Sequence, residues 1–482
     1  MTPIASDALA IWQSAVAAVQ PRKLVAEAVR SLQLFGRVIV VGCGKAGAEM
    51  AAGVEEALPS TPLPPTPPEL TTSPARGEVG VISSSHQAAD TKLQITTSPL
   101  AGEVGAVSEA NPAGGGYSVH LAGLVNIPAD CVASLRHIHL HPARPAASNF
   151  PTPEGVAGAE EMLRLLASAG PDDTALCLLS GGGSALLPCP AEGVSLESKL
   201  AVTKLLHASG AAIGEMNCVR KHLSRVKGGR LAEAFRGKRL VSLIISDVVG
   251  DPLDVIASGP TAPDPTTFAD AKLILERYGM WDRCPADVTA HIQKGCDGTI
   301  PDTPKALPPN VENRVIGNNA LALSAARRTA EQLGYRVLDL GPFVEGETKH
   351  VAAMTAGIVR NVRERGEPLS APACILIGGE TTVTLGANPG KGGRNQEFAL
   401  AVLHPLGRDG MKGVAVLSGG TDGEDGPTDA AGAVADENTP HDGAAEALVR
   451  HDAYPFFDRV GGLIRTGPTG TNVADVRVIV VR

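Results

Sequence analysis

Short runs of β-branched and other apolar residues alternate along the chain with longer segments rich in alanine, leucine and glutamate. This alternation is typical of the strands and helices of a parallel-sheet α/β protein. Most of the apolar runs end at a glycine or an aspartate, and open α/β sheets bind their ligands at the carboxyl ends of their strands. The strands predicted in this way are Arg37–Val41, Ala175–Leu179, Leu240–Ser246, Arg314–Gly317, Ala373–Gly378, Gly413–Leu417 and Val476–Val481.

One segment, from Pro59 to Gly116, interrupts the alternation. It begins with a run of prolines, and its sequence TTSPARGEVG at Thr71–Gly80 recurs as TTSPLAGEVG at Thr96–Gly105. Two copies could signal a repeat protein, but segments so rich in proline, serine and glycine cannot bury a core of their own. We therefore predict a disordered surface insertion over about residues 59–116.

The length of the chain, 482 residues, exceeds the size at which one hydrophobic core usually stops growing. Prolines interrupt the pattern again between Cys296 and Glu312, which makes this stretch the best junction between two domains. The sequence therefore predicts an N-terminal domain over residues 1–300 and a smaller C-terminal domain over residues 311–482.

The amino-acid composition limits the kinds of molecule that the protein is expected to bind. The net charge of −9 and the low aromatic content of 3% argue against nucleic acid, which favours basic surfaces and stacking rings. No apolar stretch is long enough to span a bilayer, and the first segment lacks the basic start and apolar run of an export signal. The eight cysteines lie apart without a CxxC pair. We therefore expect a cytoplasmic protein with reduced thiols and no membrane partner.

The first glycine-rich loop follows the first predicted strand. Gly42, Gly44 and Gly47 form a G-x-G-x-x-G pattern, which dinucleotide-binding proteins use. A nicotinamide site also needs an acidic residue at the end of the next strand, and the proline-rich insertion occupies that place. The loop therefore indicates a phosphate or carboxylate site at a helix N-terminus, with Lys45 adding a full positive charge. A plain strand-to-helix turn with a solvated lysine gives the same pattern.

A second glycine-rich loop follows the strand Ala175–Leu179. Its consecutive glycines, Gly181, Gly182 and Gly183, let the backbone fold around an anion, and Ser180 and Ser184 flank them. Ser184 does not lie in the G-x-S-x-G motif of serine hydrolases. We predict an anion nest that contains these five residues.

Basic residues cluster after the second loop, at Arg220, Lys221, His222, Arg225, Lys227 and Arg230. On one continuous helix Lys221 and Arg225 share a face, which would let them neutralise a polyphosphate. A solvated helix face explains the same run equally well. We predict Arg220 and Lys221 as binding residues and interpret His222 as structural.

Carboxylates follow two of the predicted strands. Asp247 ends a strongly apolar strand, where it could hold Mg²⁺, accept a proton from a hydroxyl group or cap a helix. Asp422, Asp425 and Asp429 lie on a later loop whose spacing does not fit an EF-hand. We predict Asp247 as catalytic, Asp247, Asp425 and Asp429 as metal ligands, and Asp422 and Asn472 as binding residues.

An arginine opens a predicted helix in the last third of the chain. The predicted strand Ala373–Gly378 is followed by Gly379 and Glu380 and then by GKGGRNQEFALAV, in which Arg394 and Asn395 lie at the helix start. An arginine there can bind a carboxylate through two hydrogen bonds or stabilise a phosphoryl group in transfer. We predict Arg394 as catalytic and the other three residues as binding residues.

Taken in order, these blocks resemble the glycerate 2-kinase family with its C-terminal MOFRL domain: VGCGKAGAEM, LLSGGGSALLPCPAEGVSL, NCVRKHLSRVKGGRLA, ISDVVGDPLDVIASGPTAPDPTTFADA, IGGETTVTLG, GKGGRNQEFALA, GGTDGEDGPTDAAGA and TGPTGTNVAD. The resemblance implies phosphorylation of D-glycerate at its 2-hydroxyl by ATP with Mg²⁺. It also implies a Rossmann-like N-terminal domain, a smaller α/β C-terminal domain and an active site in the cleft between them. The active-site lysine and arginine of the family fall on Lys45 and Arg394.

Two departures from the family pattern leave the substrate preference open. They are the insertion after the first helix and the sequence LHPARPAASNFPTPEG where the family has a GHPxPD-like turn. The main alternative is a hydroxypyruvate reductase that uses NAD(P)H, and a second is a non-catalytic protein that binds a nucleotide or a sugar acid. The expected partners are glycerate and ATP, and the expected assembly is a monomer or a homodimer.

Overall fold

The computed structural model describes residues 1–58, 118–145, 148 and 150–482, so the predicted insertion lies outside the described residues. The first part of the chain forms a six-stranded parallel sheet with the strand order β3-β2-β1-β4-β5-β6. Its strands are β1 (Gly36–Cys43), β2 (Val119–Pro128), β3 (Ile138–Arg144), β4 (Thr174–Leu179), β5 (Arg239–Ile245) and β6 (Val311–Gly317).

The second part of the chain forms a seven-stranded sheet. Its strands are β7 (Arg336–Asp339), β8 (Val344–Glu347), β9 (Ala373–Thr382), β10 (Val414–Gly420), β11 (Gly432–Asp436), β12 (Leu463–Ile464) and β13 (Asp475–Val481). The main strand order is β12-β11-β10-β13-β9-β7, and β8 also pairs with β9. Four of the strand pairs are antiparallel, whereas β7 and β8 run parallel to β9.

Helices connect the strands and cover the sheets. They are α1 (Pro3–Ala18), α2 (Pro21–Ser31), α3 (Gly47–Ala57), α4 (Pro153–Ala167), α5 (Gly183–Leu186), α6 (Leu196–Ser209), α7 (Ile213–His222), α8 (Arg230–Glu233), α9 (Phe268–Arg277), α10 (Ala286–Cys296), α11 (Asn319–Gln332), α12 (Thr348–Arg365), α13 (Arg394–Gly410), α14 (Ala444–Val449) and α15 (Ala453–Val460). Several begin at a side-chain cap, as where Thr2 accepts a hydrogen bond from the amide of Ala5.

All seven strands predicted from the sequence are present, with ends shifted by a few residues. The expectation of parallel sheets is correct for the first sheet and wrong for the second, which is mixed. The reason is that β9, β10 and β13 are almost entirely buried. A strand buried on both faces is a continuous apolar run, and such a run does not reveal the direction of its neighbours.

Helix α1, from the start of the chain, packs on the second sheet. Trp12 is buried there, and its indole Nε1 donates a hydrogen bond to the carbonyl oxygen of Gly419, at 3.2 Å. Thr471, just before β13, donates a hydrogen bond from Oγ1 to the carbonyl oxygen of Val19, at 2.7 Å. One buried apolar cluster therefore contains residues of α1, of the first sheet and of the second sheet.

Strand β6 lies within the range predicted for the C-terminal domain, yet it pairs with β5 of the first sheet. The chain therefore passes between the two sheets after Gly317, and α1 already packs on the second sheet. The predicted domain limits themselves stay a prediction. Among the described residues, no helix has the length and apolar character to cross a membrane, and all eight cysteines are free thiols.

Candidate active site

The two glycine-rich loops are bonded to each other at the carboxyl ends of β1 and β4, where the strand order reverses. The amide of Lys45 donates to the carbonyl oxygen of Gly181 at 2.9 Å, and the amide of Ala46 donates to Oγ of Ser180 at 3.1 Å. The amide of Ser180 in turn donates to the carbonyl oxygen of Cys43. This reversal point is where open α/β sheets bind ligands. The structure therefore brings Gly42, Gly44, Lys45 and the nest Ser180–Ser184 together.

The side chain of Lys45 extends over the second loop. If Gly182 carried a Cβ, that atom would lie 3.5 Å from Cγ of Lys45, and Gly182 itself has a φ of +75°. The ammonium group of Lys45 lies 3.9 Å from Oε2 of Glu424, and both side chains are about half exposed. Such an exposed, long ion pair contributes little to stability. The ammonium group is thus available to an incoming anion.

Asp247 follows β5 and lies directly against Gly181. A Cβ on Gly181 would lie 2.3 Å from Oδ2 of Asp247, so any larger residue at this position would displace that carboxylate. The amide Nδ2 of Asn472 donates to the same oxygen, at 3.3 Å. Burial raises the pKa of Asp247; the charge of Lys45 opposes this shift, and the charge of Asp422 adds to it. Asp247 is therefore a carboxylate that a proton or a cation would stabilise.

Asp422 lies after β10 of the second sheet, and it too is within electrostatic range of Lys45. Burial raises the pKa of Asp422 as well, with Lys45 opposing the shift and Glu424 adding to it. Oδ1 of Asp422 accepts a hydrogen bond from the amide of Glu424, at 3.1 Å. Carboxylates of both sheets therefore lie within electrostatic range of Lys45.

The three predicted metal ligands are not gathered into one site. Asp425 is buried and accepts hydrogen bonds from the amides of Asn395 and Gln396, at 3.0 and 2.8 Å, so it caps helix α13. Burial raises the pKa of Asp425 to about 7 despite these two amides.

Asp429, the other predicted metal ligand on this loop, is exposed and binds Tyr454 and Arg465. Among the described residues, no group of three or more acidic, histidine or cysteine side chains is arranged for a metal ion.

Arg394 is the first residue of helix α13 and is held by two carboxylates. Its Nε and Nη2 donate to Asp475 at 2.7 and 3.1 Å, and its Nη1 lies 2.7 Å from Oε1 of Glu380. Burial disfavours the charged guanidinium, but Asp475 and Glu380 outweigh it and hold the pKa of Arg394 above its usual value. Arg394, Asn395, Glu380 and the neighbouring Gly379, all predicted as site residues, thus lie together.

Asp475 is the centre of this arginine cluster, a role that the sequence did not reveal. The residue is fully buried and accepts hydrogen bonds from Arg394, from Nδ2 of Asn395 at 2.8 Å and from Nη2 of the fully buried Arg477 at 3.1 Å. Its position at the start of β13, opposite Gly379 of β9, places it beside the helix start. The partners are distant in the chain, so no spacing of residues could have identified them.

Ser184 lies among cations on the other side of the second loop. Its Oγ accepts hydrogen bonds from Arg220 at 2.5 Å and from Nζ of Lys227 at 3.0 Å, and it lies 2.8 Å from Oγ of Ser258. Burial lowers the pKa of Lys227 well below its usual value, and the charge of Arg220 adds to this effect. Arg220, predicted as a binding residue, therefore contacts the nest through Ser184, and Lys227 contacts the same hydroxyl group.

The predicted cationic face of Lys221 and Arg225 is wrong. Helix α7 ends at His222, so the two residues do not share a helix. Lys221 points into the interior, where it binds Asp254 and Asp264 at 3.1 and 3.3 Å, and Arg225 pairs with Glu160. His222 bonds to the backbone of Cys218 and to Asp302, which agrees with the structural role that the sequence indicates.

A cavity of about 230 Å³ adjoins Asp247 and Gly379. Its walls come from the loop after β5, the start of α11, the β7–β8 loop and the segment before β13. They include Val248, Val249 and the ring of Phe343, which is 68% exposed although it is a large apolar side chain. An exposed ring beside a partly apolar cavity is suited to a flat apolar ligand.

Comparisons with known proteins agree on one group of relatives. Residues 7–293 match the family described as domain of unknown function DUF4147, and residues 373–475 match the MOFRL family. The chain is 44% identical over 342 residues to a glycerate 2-kinase of Pyrococcus horikoshii, an alignment that covers 70% of this chain and 77% of that protein.

Two further relatives align over nearly the whole chain. A protein of Agrobacterium vitis called a putative hydroxypyruvate reductase is 37% identical over 488 residues, which covers 98% of this chain and 93% of the relative. The crystal structure of a glycerate kinase from Thermotoga maritima superimposes with a TM-score of 0.78 at 33% identity, and 99% of each chain is covered.

Proposed function

The chain belongs to the glycerate 2-kinase family and is a kinase that phosphorylates glycerate, and we propose that it does so in the cleft between its two sheets. The proposed donor is ATP and the proposed acceptor is the 2-hydroxyl group of D-glycerate. One observation carries this proposal. Lys45 of the first sheet and Arg394 of the second lie around one group of partly buried carboxylates, to which both sheets contribute.

The strand order of the first sheet supports a Rossmann-like interpretation of the N-terminal domain. The two glycine-rich loops lie at its reversal point, and from the second sheet Glu424, after β10, and Asn472, before β13, contact Lys45 and Asp247 beside them. Phosphoryl transfer depends mainly on positioning and on charge stabilisation, which a cleft lined by donors and cations supplies.

Arg394 is the proposed stabiliser of the transferring phosphoryl group. Asp475 is fully buried and fixes the guanidinium through two hydrogen bonds. The side chain of Glu380 is 43% exposed, and burial raises the pKa of its carboxyl group. Glu380 therefore binds Nη1 of Arg394 more weakly than Asp475 binds Nε and Nη2. A phosphate oxygen that displaces Glu380 would gain a charged hydrogen bond from a donor that is already oriented.

Asp247 is the proposed acceptor of the proton from the 2-hydroxyl group. Burial raises the pKa of Asp247, which brings it closer to that of an effective base. Asn472 fixes its Oδ2 and Gly181 lets it approach the nest closely. Lys45, which lies over the same nest, would hold the negatively charged end of a ligand beside it.

A magnesium ion fits the residues only in part. Mg²⁺ in kinases is bound by one or two carboxylates together with the substrate phosphates, so a dedicated set of three ligands is not needed. Asp422 has a pKa that burial and Glu424 raise, which a cation would relieve. We therefore assign Asp422 as its ligand in place of Asp425 and Asp429. When bound with ATP, Mg²⁺ would neutralise charge on the phosphate oxygens.

The cavity beside Phe343 is the proposed site of the adenine base. It lies next to Asp247 and Gly379, so a base in the cavity would leave its phosphates between Lys45 and Arg394. Replacing Phe343 with alanine is expected to raise the KM for ATP about 10-fold, because stacking of a base on an aromatic ring contributes about 1–3 kcal/mol. Steady-state kinetics with varied ATP at saturating glycerate measure this change.

The matched control is Phe35→Ala, because Phe35 is also about half exposed but lies before β1, at the opposite end of the sheet. The control should leave both KM values unchanged. An unchanged KM for ATP in the Phe343 variant would show that the base binds elsewhere.

The kinase and the reductase are separated by a paired assay of the purified protein. With D-glycerate, ATP and Mg²⁺ we expect ADP release that requires glycerate, and a product that enolase consumes directly, since enolase accepts 2-phosphoglycerate. With hydroxypyruvate and NADH or NADPH, in the absence of ATP, we expect no oxidation of the cofactor. Oxidation without ADP release would favour the reductase, and ATP binding without either reaction would favour a non-catalytic protein.

A further inference from the structure

Arg144 is a buried cation with two unpartnered nitrogens. It is the last residue of β3, and only 3% of its surface is exposed. Its Nε and Nη1 are buried and have no hydrogen-bond partner in the described part of the chain, and no ion pair within 4.0 Å holds the guanidinium there. Burial lowers the pKa of Arg144, and the charge of Asp130 opposes this shift although the two side chains form no ion pair.

Other buried cations of the protein have hydrogen-bond partners, which for Lys199 and Lys227 are carbonyl and hydroxyl oxygens. Lys221 binds both Asp254 and Asp264, and the fully buried Arg477 binds Asp475 through Nη2. A guanidinium remains charged in proteins, and leaving a buried charge without a partner is strongly destabilising. Burial accordingly lowers the pKa of Arg144. A site that retains such a group is suited to an anion that arrives from outside the chain.

The space in front of Arg144 lies above Gly182. A Cβ on Gly182 would lie 3.7 Å from Nη2 of Arg144 and 3.5 Å from Cγ of Lys45, so both side chains border the position that this glycine leaves free. The described neighbours of Arg144 also include Cys131, whose thiol both Arg144 and Lys45 influence electrostatically. One small anion above Gly182 would therefore meet a guanidinium and lie beside Lys45 at the same time.

We propose that Arg144 binds the carboxylate of glycerate in the space above Gly182, and that it is the residue that selects a hydroxy acid over a neutral alcohol. The proposal rests on the proposed function. A planar carboxylate matches the fork of donors on a guanidinium. The phosphoryl group arrives at the 2-hydroxyl, on the carbon next to the carboxylate, and Arg394, the arginine proposed to meet it, lies on the second sheet beside Asp475.

Replacing Arg144 with alanine is expected to raise the KM for D-glycerate about 10- to 100-fold, the loss typical of a hydrogen bond to a charged group. The KM for ATP should change less than 2-fold. Selectivity for glycerate over glycerol, measured as the ratio of kcat/KM, should fall by the same factor. Added guanidinium ion should restore part of the activity of the alanine variant, which it would not do for a residue with a merely structural role.

Stability gives a second, independent measurement. Because Arg144 has no hydrogen-bond or ion-pair partner among the described residues, the alanine variant should keep or raise the melting temperature without ligand, and D-glycerate should raise that of the wild type alone. The exposed Arg136, which precedes β3, provides the control variant Arg136→Ala, and it should behave as the wild type in every assay. A lower melting temperature without ligand, or a rise in the KM for ATP alone, would overturn the assignment.

Failure of the proposed function is recognised separately. If the wild-type protein releases no ADP with glycerate, the kinase proposal fails whatever Arg144 does. The stabilisation of the wild type by D-glycerate, and its loss in the alanine variant, would still support Arg144 as the carboxylate site. If glycerate stabilises both proteins equally, the site at Arg144 is refuted even when the enzyme is active.

Discussion

Replacing Arg394 with alanine is expected to lower kcat for glycerate phosphorylation by about 10³- to 10⁵-fold, as is typical for an arginine that stabilises a transferring phosphoryl group. The guanidinium is fixed by Asp475 and Glu380, so it is oriented before substrate binds. We expect the KM for glycerate to change little, because the contact would strengthen in the transition state. Rapid-quench or coupled measurement of ADP release gives both constants.

Arg394→Lys is the informative companion. Lysine keeps the charge but cannot form two parallel hydrogen bonds with Asp475, so we expect most of the activity to be lost as well. Arg408→Ala is the control, because Arg408 is 75% exposed and its nearest carboxylate, Asp442, is 3.8 Å away. If the Arg394 alanine variant keeps activity within 10-fold of the wild type, Arg394 does not contact the phosphoryl group during transfer.

Replacing Asp475 with asparagine is expected to destabilise the protein by about 3–5 kcal/mol, because the change leaves the buried Arg477 without its anion. The variant should also lose most of its kcat, since Arg394 and Asn395 lose the group that positions them. Urea unfolding followed by circular dichroism measures the first effect, and ADP release measures the second.

A double-variant cycle separates the two roles of Asp475. If Asp475 acts on catalysis through Arg394, the double variant Arg394→Ala, Asp475→Asn should have the kcat of the Arg394 variant alone. Asp442→Asn serves as the control, because that side chain is 90% exposed and its loss should change stability by less than about 0.5 kcal/mol. Equal stability of the Asp475 variant and the wild type would contradict the assignment.

The sequence predicts the strands that bury both faces, because these strands are continuous apolar runs. It misses β2 and β3, which follow the insertion, and short strands such as β8, where Val344 and Glu347 are half-buried and the two residues between them are exposed. In the second sheet the apolar runs of β9, β10 and β13 are visible, but their antiparallel pairing is not. Pairing direction depends on connections and partners that a single strand does not encode.

The candidate site is predicted where its residues lie next to each other in the chain. The two glycine-rich loops and the start of α13 are such segments, and each is found at the end of a strand. Lys221 was assigned to the site because basic residues were assumed to continue one helix, whereas the helix ends and the ammonium group turns to Asp264. Arg144 was not identified, and the contact of Asp475 with Arg394 was not predicted, because both depend on burial and on partners far away in the sequence.

The docking of α1 on the second sheet has a consequence for synthesis on the ribosome. Trp12 emerges first, but its hydrogen-bond partner Gly419 lies 407 residues later. At about 5–20 residues per second, the helix must wait on the order of 20–80 s for that partner. During this interval β10 and β13, which pack against the apolar face that includes Ile4, Ile11 and Trp12, have not yet been made. Nascent chains of this protein should therefore need a holding chaperone at their first helix until translation is nearly complete.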